Sequence, residues 1–314
     1  MPPATTHSEP RSKPVDGQER EASARLVIAP PPRPAAGGKG NHGGRAGHPA
    51  PSRPGRRETL PASGPALSVI LPARDEAAAL PALLREILAI LDDLCVFGSD
   101  GEVIVVDDGS RDATAACVAS AASADRRVRL VDSGGAGQTI AMARGIAAAR
   151  GRVIALMDAD GQNDPSDLPR LLARLAVGDV DFVQGDRTES RCDGWRRRFA
   201  SAVGRGARRL ALGDAVRDTG CTLRVMDAAI ARALPLDRPG MHRFIPVLAA
   251  ASGARVAEVP VNHRPRMGGR THYRVFGRAW PGLRDCVIVR RRIRAARDAA
   301  AAVRDTASSD VAVT

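Results

Sequence analysis

The chain has 314 residues and a formal net charge of +12; hydrophobic residues make up 44% and aromatics only 3%. That length and apolar fraction admit one large or two small domains with a core built from Ala, Leu, Val and Ile. The excess of arginine suits phosphorylated ligands, anionic lipid or nucleic acid, but the scarcity of aromatics for base stacking makes nucleic-acid binding the remote reading.

Five cysteines (Cys95, Cys117, Cys192, Cys221, Cys286) are scattered, odd in number and free of any C-x-x-C pair. They argue for a reducing compartment and against a disulfide framework or a zinc site. No apolar leader is visible, and no run approaches the ~20 apolar residues of a spanning helix. The expected location is cytoplasmic, with the protein leaning on a membrane.

Residues 1–64 are rich in Pro, Gly, Ser and Arg without apolar periodicity, which predicts a disordered tail. Order is expected to begin with a strand over Leu67–Pro72, stopped by Pro72. Asp75 and Glu76 are candidate caps for a helix with apolar positions Leu80, Leu83, Leu84, Ile87, Leu88 and Leu91, and Pro81 falls in its first turn. A strand over Glu102–Val106 ends in the turn Asp107-Asp108-Gly109-Ser110. Next come an Ala-rich helix (Arg111–Ser123), a strand (Arg127–Val131), a Gly-rich connection (Ser133–Gln138) and a helix (Thr139–Ala149). The connection lacks G-x-G-x-x-G spacing, so it reads as a helix entry rather than a dinucleotide fingerprint. This alternation implies an α/β domain with a mostly parallel, doubly wound sheet.

The apolar run from Val153 to Met157 reads as a buried strand ending in Asp158-Ala159-Asp160-Gly161-Gln162. Asp158 and Asp160, one residue apart, point the same way if extended. With the amide oxygens of Gln162 and Asn163 they suit Mg²⁺ or Mn²⁺ holding a diphosphate. Alone, a D-x-D is more often a solvated acidic turn. In a parallel sheet, however, the polar strand ends Pro72–Glu76, Asp107-Asp108 and Asp158–Asp160 share one edge, where ligands bind.

Beyond Asp160 the pattern predicts a helix (Leu168–Ala176), a strand (Asp181–Gly185) and a basic amphipathic helix (Trp195–Leu212). A strand (Asp218–Val225), a helix (His242–Ser252), a strand (Val256–Asn262) and a basic loop (His263–Tyr273) follow. The last segment is a basic helix over Val275–Arg304 whose apolar residues suit either a membrane surface or packing on the domain.

The runs Pro72-Ala73-Arg74-Asp75-Glu76, Val105-Val106-Asp107-Asp108-Gly109-Ser110, Gly137-Gln138 with Gly145, and Met157-Asp158-Ala159-Asp160-Gly161-Gln162 resemble family 2 glycosyltransferases of the GT-A fold. The likeness covers Leu67 to Tyr273. Gly185-Asp186-Arg187, Asp218-Thr219-Gly220-Cys221, Glu258-Val259-Pro260-Val261 and Arg264-Pro265-Arg266 bring it nearest the branch of dolichol-phosphate mannosyltransferase and bacterial polyprenyl-phosphate glycosyltransferases.

The resemblance implies a Rossmann-like nucleotide-diphospho-sugar transferase domain over 65–273, followed by a basic helix and tail over 274–314. It implies inverting transfer of a sugar, mannose or a similar hexose, from a nucleotide-sugar to a polyprenyl or dolichyl phosphate. The enzyme would be peripheral at the inner face of the cytoplasmic membrane, against its anionic surface. Pro72, Ala73, Glu76 and Asp107 or Asp108 would line the nucleoside pocket. Asp158 and Asp160 would flank the diphosphate, with Asp160, Gln162 and Asp158 as ligands of Mg²⁺ or Mn²⁺. Arg187, Arg197 and Ser201 would hold the acceptor phosphate, and Arg266 with the Gly269-Arg270-Thr271 loop would close over the donor. The branch carries Ser-Lys where this chain has Thr271-His272, so Arg270 is the candidate to replace that lysine. Asp218 stands where hydroxyl-directed relatives carry their base. It is read as a positioning residue, and as the general base only in the alternative with a saccharide hydroxyl as acceptor.

Overall fold

The computed structural model describes residues 65–96, 100–189, 206, 209–213, 216–266 and 285–295. The expected N-terminal tail, most of the basic helix from Trp195, residues 267–273 of the basic loop, and residues 275–284 and 296–304 of the last expected helix lie outside the described residues, as do Arg197, Ser201 and Arg270.

The chain opens with alternating strands and helices: β1 (Leu67–Ala73), α1 (Leu80–Val96), β2 (Gly101–Asp107), α2 (Thr114–Ala124), β3 (Val128–Asp132), α3 (Gln138–Ala148) and β4 (Val153–Leu156). A 3₁₀ turn at Pro165–Asp167 leads into α4 (Leu168–Ala176). It is started by Asp164, whose carboxylate accepts from the Ser166 amide at 2.9 Å. Then come β5 (Phe182–Asp186), β6 (Arg224–Asp227), α5 (Ala228–Ala233), a 3₁₀ turn at Met241–Phe244, α6 (Ile245–Ala251) and β7 (Val256–Pro260).

The seven strands form one sheet in the order β3-β2-β1-β4-β6-β5-β7. All neighbouring pairs are parallel except those of β6, which runs against both β4 and β5. The fold is therefore α/β with a mostly parallel sheet, as the alternation implied.

Side chains of a strand alternate between its faces, and here the alternation divides the core in two. Val69, Leu71, Val103 and Val105 pack with Leu80, Leu83, Ile87, Leu168 and Leu172 under α1 and α4. Ile70, Ile104, Val106 and Ile154 pack with Met142, Ile146, Phe244 and Ile245 under α3 and α6. Both faces of the central strands are covered, so their residues are buried without exception along β1.

Several local expectations need correction. β1 does not stop at Pro72: it runs to Ala73, whose carbonyl accepts from the Asp108 amide at 2.8 Å, and a proline near a strand end forfeits one amide without breaking the ladder. Glu76 is not a side-chain cap of α1. Asp75 sits at φ 56 and accepts from the Arg111 amide at 2.7 Å, stitching two loops together. Glu76 starts the helical turn with its carbonyl and sends its side chain elsewhere.

The strand expected from Asp218 begins only at Arg224, because residues 218–223 spend their polar groups on their surroundings. α5 was not foreseen. The helix expected from His242 is a 3₁₀ turn followed by α6, which starts beside Pro246.

Residues 285–295 are helical and pack on the domain. Val289 and Ile293 join the core beside α3 and α6, and Arg292 forks onto Asp237 at 2.7 and 2.8 Å. Among the described residues no helix is long and apolar enough to cross a membrane.

Candidate active site

The carboxyl ends of β1, β2 and β4 meet at a cleft of about 290 Å³, lined by Pro72, Ala73, Arg74, Glu76, Asp108, Gly137, Gln138, Asp158, Ala159, Asp160 and Arg266. Seven of the residues singled out in the sequence thus share one cavity: Pro72, Ala73, Glu76, Asp108, Asp158, Asp160 and Arg266. Of the aspartate pair closing β2, Asp108 faces the cleft. Its Oδ1 accepts from Ser133 Oγ at 2.7 Å and from the Gly137 amide at 2.9 Å. Asp107 turns back to accept from the Ser110 amide at 3.0 Å. Gln162 does not line the cleft; its amide donates to Asp160 Oδ1 at 3.0 Å, folding the acidic loop on itself.

The D-x-D loop is held from several sides. Gln138 Nε2, at the first turn of α3, donates to Asp158 Oδ1 at 2.9 Å. Buried Asn163 accepts from the Asp158 amide at 3.1 Å and from Thr222 Oγ1 at 2.9 Å. Because β6 runs antiparallel, the loop that precedes it, not the one that follows it, reaches this edge. That reversal brings Thr222 onto Asn163 behind the D-x-D loop and Asp218 near it, although neither of them, nor Arg187, lines the cleft.

Arg187, just past β5, is forked onto Asp218. Nε donates to Oδ2 at 2.9 Å, and both side chains are under a tenth exposed. The Arg187 and Gly220 amides also donate to the Asp218 carboxylate, at 3.2 and 3.1 Å.

The electrostatics follow from crowding carboxylates in a partly dry place. Burial pushes the Glu76 carboxyl up to about 7; Arg266 opposes this, and Asp160 and Asp158 add to it. Burial and then Asp160 push Asp158 up to about 6, against the pull of Thr222, Arg187 and Arg224. Glu76 Oε2 is buried without a hydrogen-bond partner among the described residues.

Such a cluster suits a cation. Among the described residues, however, no three or more His, Cys, Asp or Glu side chains are arranged to hold an ion by themselves. The residues fit an ion shared between one or two carboxylates and the oxygens of a bound diphosphate, the usual manner for Mg²⁺.

Two residues of the site carried no signal in the sequence. Arg224 in β6 is almost wholly buried, where strand residues are apolar. Its guanidinium donates to the carbonyls of Cys221 at 2.5 Å and Thr222 at 3.2 Å. Burial lowers its pKa to about 10, while the negative fields of Asp158 and Asp218 oppose the loss of its charge. His242 Nδ1 lies 2.8 Å from Thr139 Oγ1, which also accepts from the Gly240 amide at 3.0 Å. This pins the 3₁₀ turn to the start of α3, next to Gln138.

A mostly parallel sheet with a reversed sixth strand and an acidic cleft at its carboxyl edge defines the GT-A class of nucleotide-diphospho-sugar folds. The family model "Glycosyl transferase family 2" matches residues 68–235, more than half of the chain, and the chain belongs to that family.

Two curated relatives are undecaprenyl-phosphate 4-deoxy-4-formamido-L-arabinose transferases. The protein of Pseudomonas aeruginosa is 35% identical over 209 residues, 66% of this chain and 60% of the relative. That of Edwardsiella ictaluri is 33% identical over 209 residues, 66% and 62% respectively. The chain thus spans less than two thirds of the length of these relatives.

Among solved structures, mannosyl-3-phosphoglycerate synthase from Rubrobacter xylanophilus is similar at a TM-score of 0.51 and 20% identity, covering 73% of this chain and 74% of that one. Glucosyl-3-phosphoglycerate synthase from Mycobacterium tuberculosis, in complex with Mn²⁺, UDP and phosphoglyceric acid, is similar at 0.52 and 22%, covering 78% and 82%. These two likenesses show the fold.

Proposed function

We propose that the protein is a metal-dependent, inverting glycosyltransferase that moves a sugar from a nucleotide-sugar to a polyprenyl phosphate, working as a peripheral enzyme at the cytoplasmic face of the membrane. The observation that carries this reading is the convergence of Glu76, Asp108, Asp158, Asp160 and Arg266 on one cleft at the carboxyl edge of the sheet. Family membership supports the reaction class, and the names of the relatives from Pseudomonas aeruginosa and Edwardsiella ictaluri support the lipid phosphate acceptor. The donor sugar is mannose, a similar hexose, or the modified arabinose those names carry.

In this reading Pro72, Ala73, Glu76 and Asp108 receive the nucleoside, and Arg266 receives the diphosphate. Asp160 and Asp158, the latter oriented by Gln138 and Asn163, hold Mg²⁺ or Mn²⁺. The bound ion supplies neutralisation of the charge that develops on the departing diphosphate. Arg187 faces the acceptor phosphate. A phosphate monoester has a second pKa of about 6 and is already an anionic nucleophile at neutral pH, so no strong general base is required. Asp218 then orients Arg187, in keeping with a carboxylate already bound to a guanidinium and two amides. The saccharide-acceptor alternative needs that same carboxylate to take a proton, which the ion pair disfavours.

The test supplies the protein with undecaprenyl phosphate, Mn²⁺ or Mg²⁺ and a panel of labelled UDP- and GDP-sugars, with Asp160→Ala as control. Label in the organic-extractable lipid, lost in the control, is the expected result. Label appearing only in a water-soluble saccharide would overturn the acceptor assignment.

A further inference from the structure

Arg266 reaches into a cleft lined by four carboxylates, Glu76, Asp108, Asp158 and Asp160. Its Nη2 donates to Glu76 Oε1, and its Nε stands 4.0 Å from Asp160 Oδ2. The backbone that carries it is fixed to the acidic loop. The Arg264 amide donates to the Gln162 carbonyl at 2.9 Å, and Asn163 bridges to His263. Arg264 itself is clamped between Glu86 at 2.6 Å and Asp164 at 2.7 Å. The Arg266 side chain is a quarter exposed and spans the gap on a long stem, so it has room to move where its backbone does not.

We propose that Arg266 is the internal stand-in for the divalent cation. In the nucleotide-free protein its guanidinium neutralises Glu76 and Asp160. It must leave Asp160 when an ion arrives, because two cations cannot share that carboxylate edge at close range without mutual repulsion. The proposal rests on the reading of Asp160 as an ion ligand and adds a competition to it.

Two consequences follow. Without nucleotide, Arg266 weakens ion binding. With a nucleoside diphosphate present, the guanidinium gains another anionic partner, the competition is relieved, and ion and nucleotide each strengthen the other's binding by the same factor.

The experiment titrates Mn²⁺ into the full chain without nucleotide, following free Mn²⁺ by electron paramagnetic resonance. It is repeated with UDP or GDP, whichever binds. Arg266→Met is expected to bind Mn²⁺ about tenfold more tightly than the parent without nucleotide, a change of about 1.4 kcal/mol. Its nucleotide-dependent gain should be about tenfold smaller than the parent's, leaving the part due to the diphosphate oxygens themselves. Arg266→Lys, which keeps the charge, is expected to stay within about twofold of the parent. A circular dichroism melt establishes that each variant is folded.

Mn²⁺ binding in Arg266→Met equal to or weaker than in the parent, with parental binding still abolished by Asp160→Asn, overturns the stand-in role and leaves the ion site standing. Absence of any Asp160-dependent Mn²⁺ binding overturns both.

Discussion

The Arg187–Asp218 pair offers the sharpest test of how the second half of the domain is held. Both side chains are buried, at 8% and 4% exposure, and the carboxylate accepts from the guanidinium and from the amides of Arg187 and Gly220. Asp218→Asn keeps the shape and removes the charge, leaving a buried guanidinium without its carboxylate. Breaking a buried pair from one side costs about 3–5 kcal/mol. Asn retains one accepting oxygen and Asp158 still attracts Arg187, so the lower end, about 3 kcal/mol, is expected. In a domain of this size that is a fall in Tm of about 6–12 °C.

Replacing both partners, Arg187→Met with Asp218→Leu, leaves no charge to desolvate but strips the Arg187 and Gly220 amides of their acceptor, so a loss of about 1–3 kcal/mol should remain. Urea denaturation with linear extrapolation reads both numbers. A single mutant within about 0.5 kcal/mol of the parent, against the 3 expected, would show that the pair is not the buried clamp described here.

Two further outcomes are expected. The Glu76 carboxyl, pushed from 4.5 up to about 7, binds its proton more tightly folded than unfolded. Its contribution to stability is therefore full below about pH 4.5, declines as pH rises and is gone above about pH 7. Urea melts of the ligand-free protein at pH 5 and pH 8 should differ less in Glu76→Gln than in the parent, and an unchanged difference would count against this origin. Gly185 in β5 has no space for a methyl: an added Cβ would meet the Leu223 carbonyl oxygen at 2.8 Å and Cys221 Sγ at 3.0 Å. Gly185→Ala should cost about 1–3 kcal/mol by overpacking, and denaturation at parental stability would refute that contact.

The first half of the domain was legible because its signals are local. Each of β1, β2 and β4 is an apolar run that breaks into polar residues, and those breaks mark the carboxyl edge directly. The second half was legible only in part: α4, β5 and β7 fall where the pattern put them, but its other determinants are distant. Nothing near Arg224 announces that a strand arginine will be buried on the carbonyls of Cys221 and Thr222. Thr139 and His242 meet across 103 positions and Glu76 and Arg266 across 190. The reversal of β6 could not be read from apolar periodicity, which is the same for a parallel and an antiparallel buried strand. Where Asp218–Leu223 reads as strand, a loop forms instead, since its polar groups serve Arg187, Gln184 and Asn163 rather than a ladder.

The closing wall of the cleft has a place in time as well as in space. During synthesis the amino-terminal part of a chain emerges first, at about 5–20 residues per second. β1 to β4 pair among themselves, so the acidic edge can assemble while the ribosome is still adding residues. β5 reaches its place only against β6 and β7, and Arg266 comes later still. At that rate Arg266 is added seconds after Glu76, Asp158 and Asp160, so the guanidinium that quiets these carboxylates is the last of the four groups to be made.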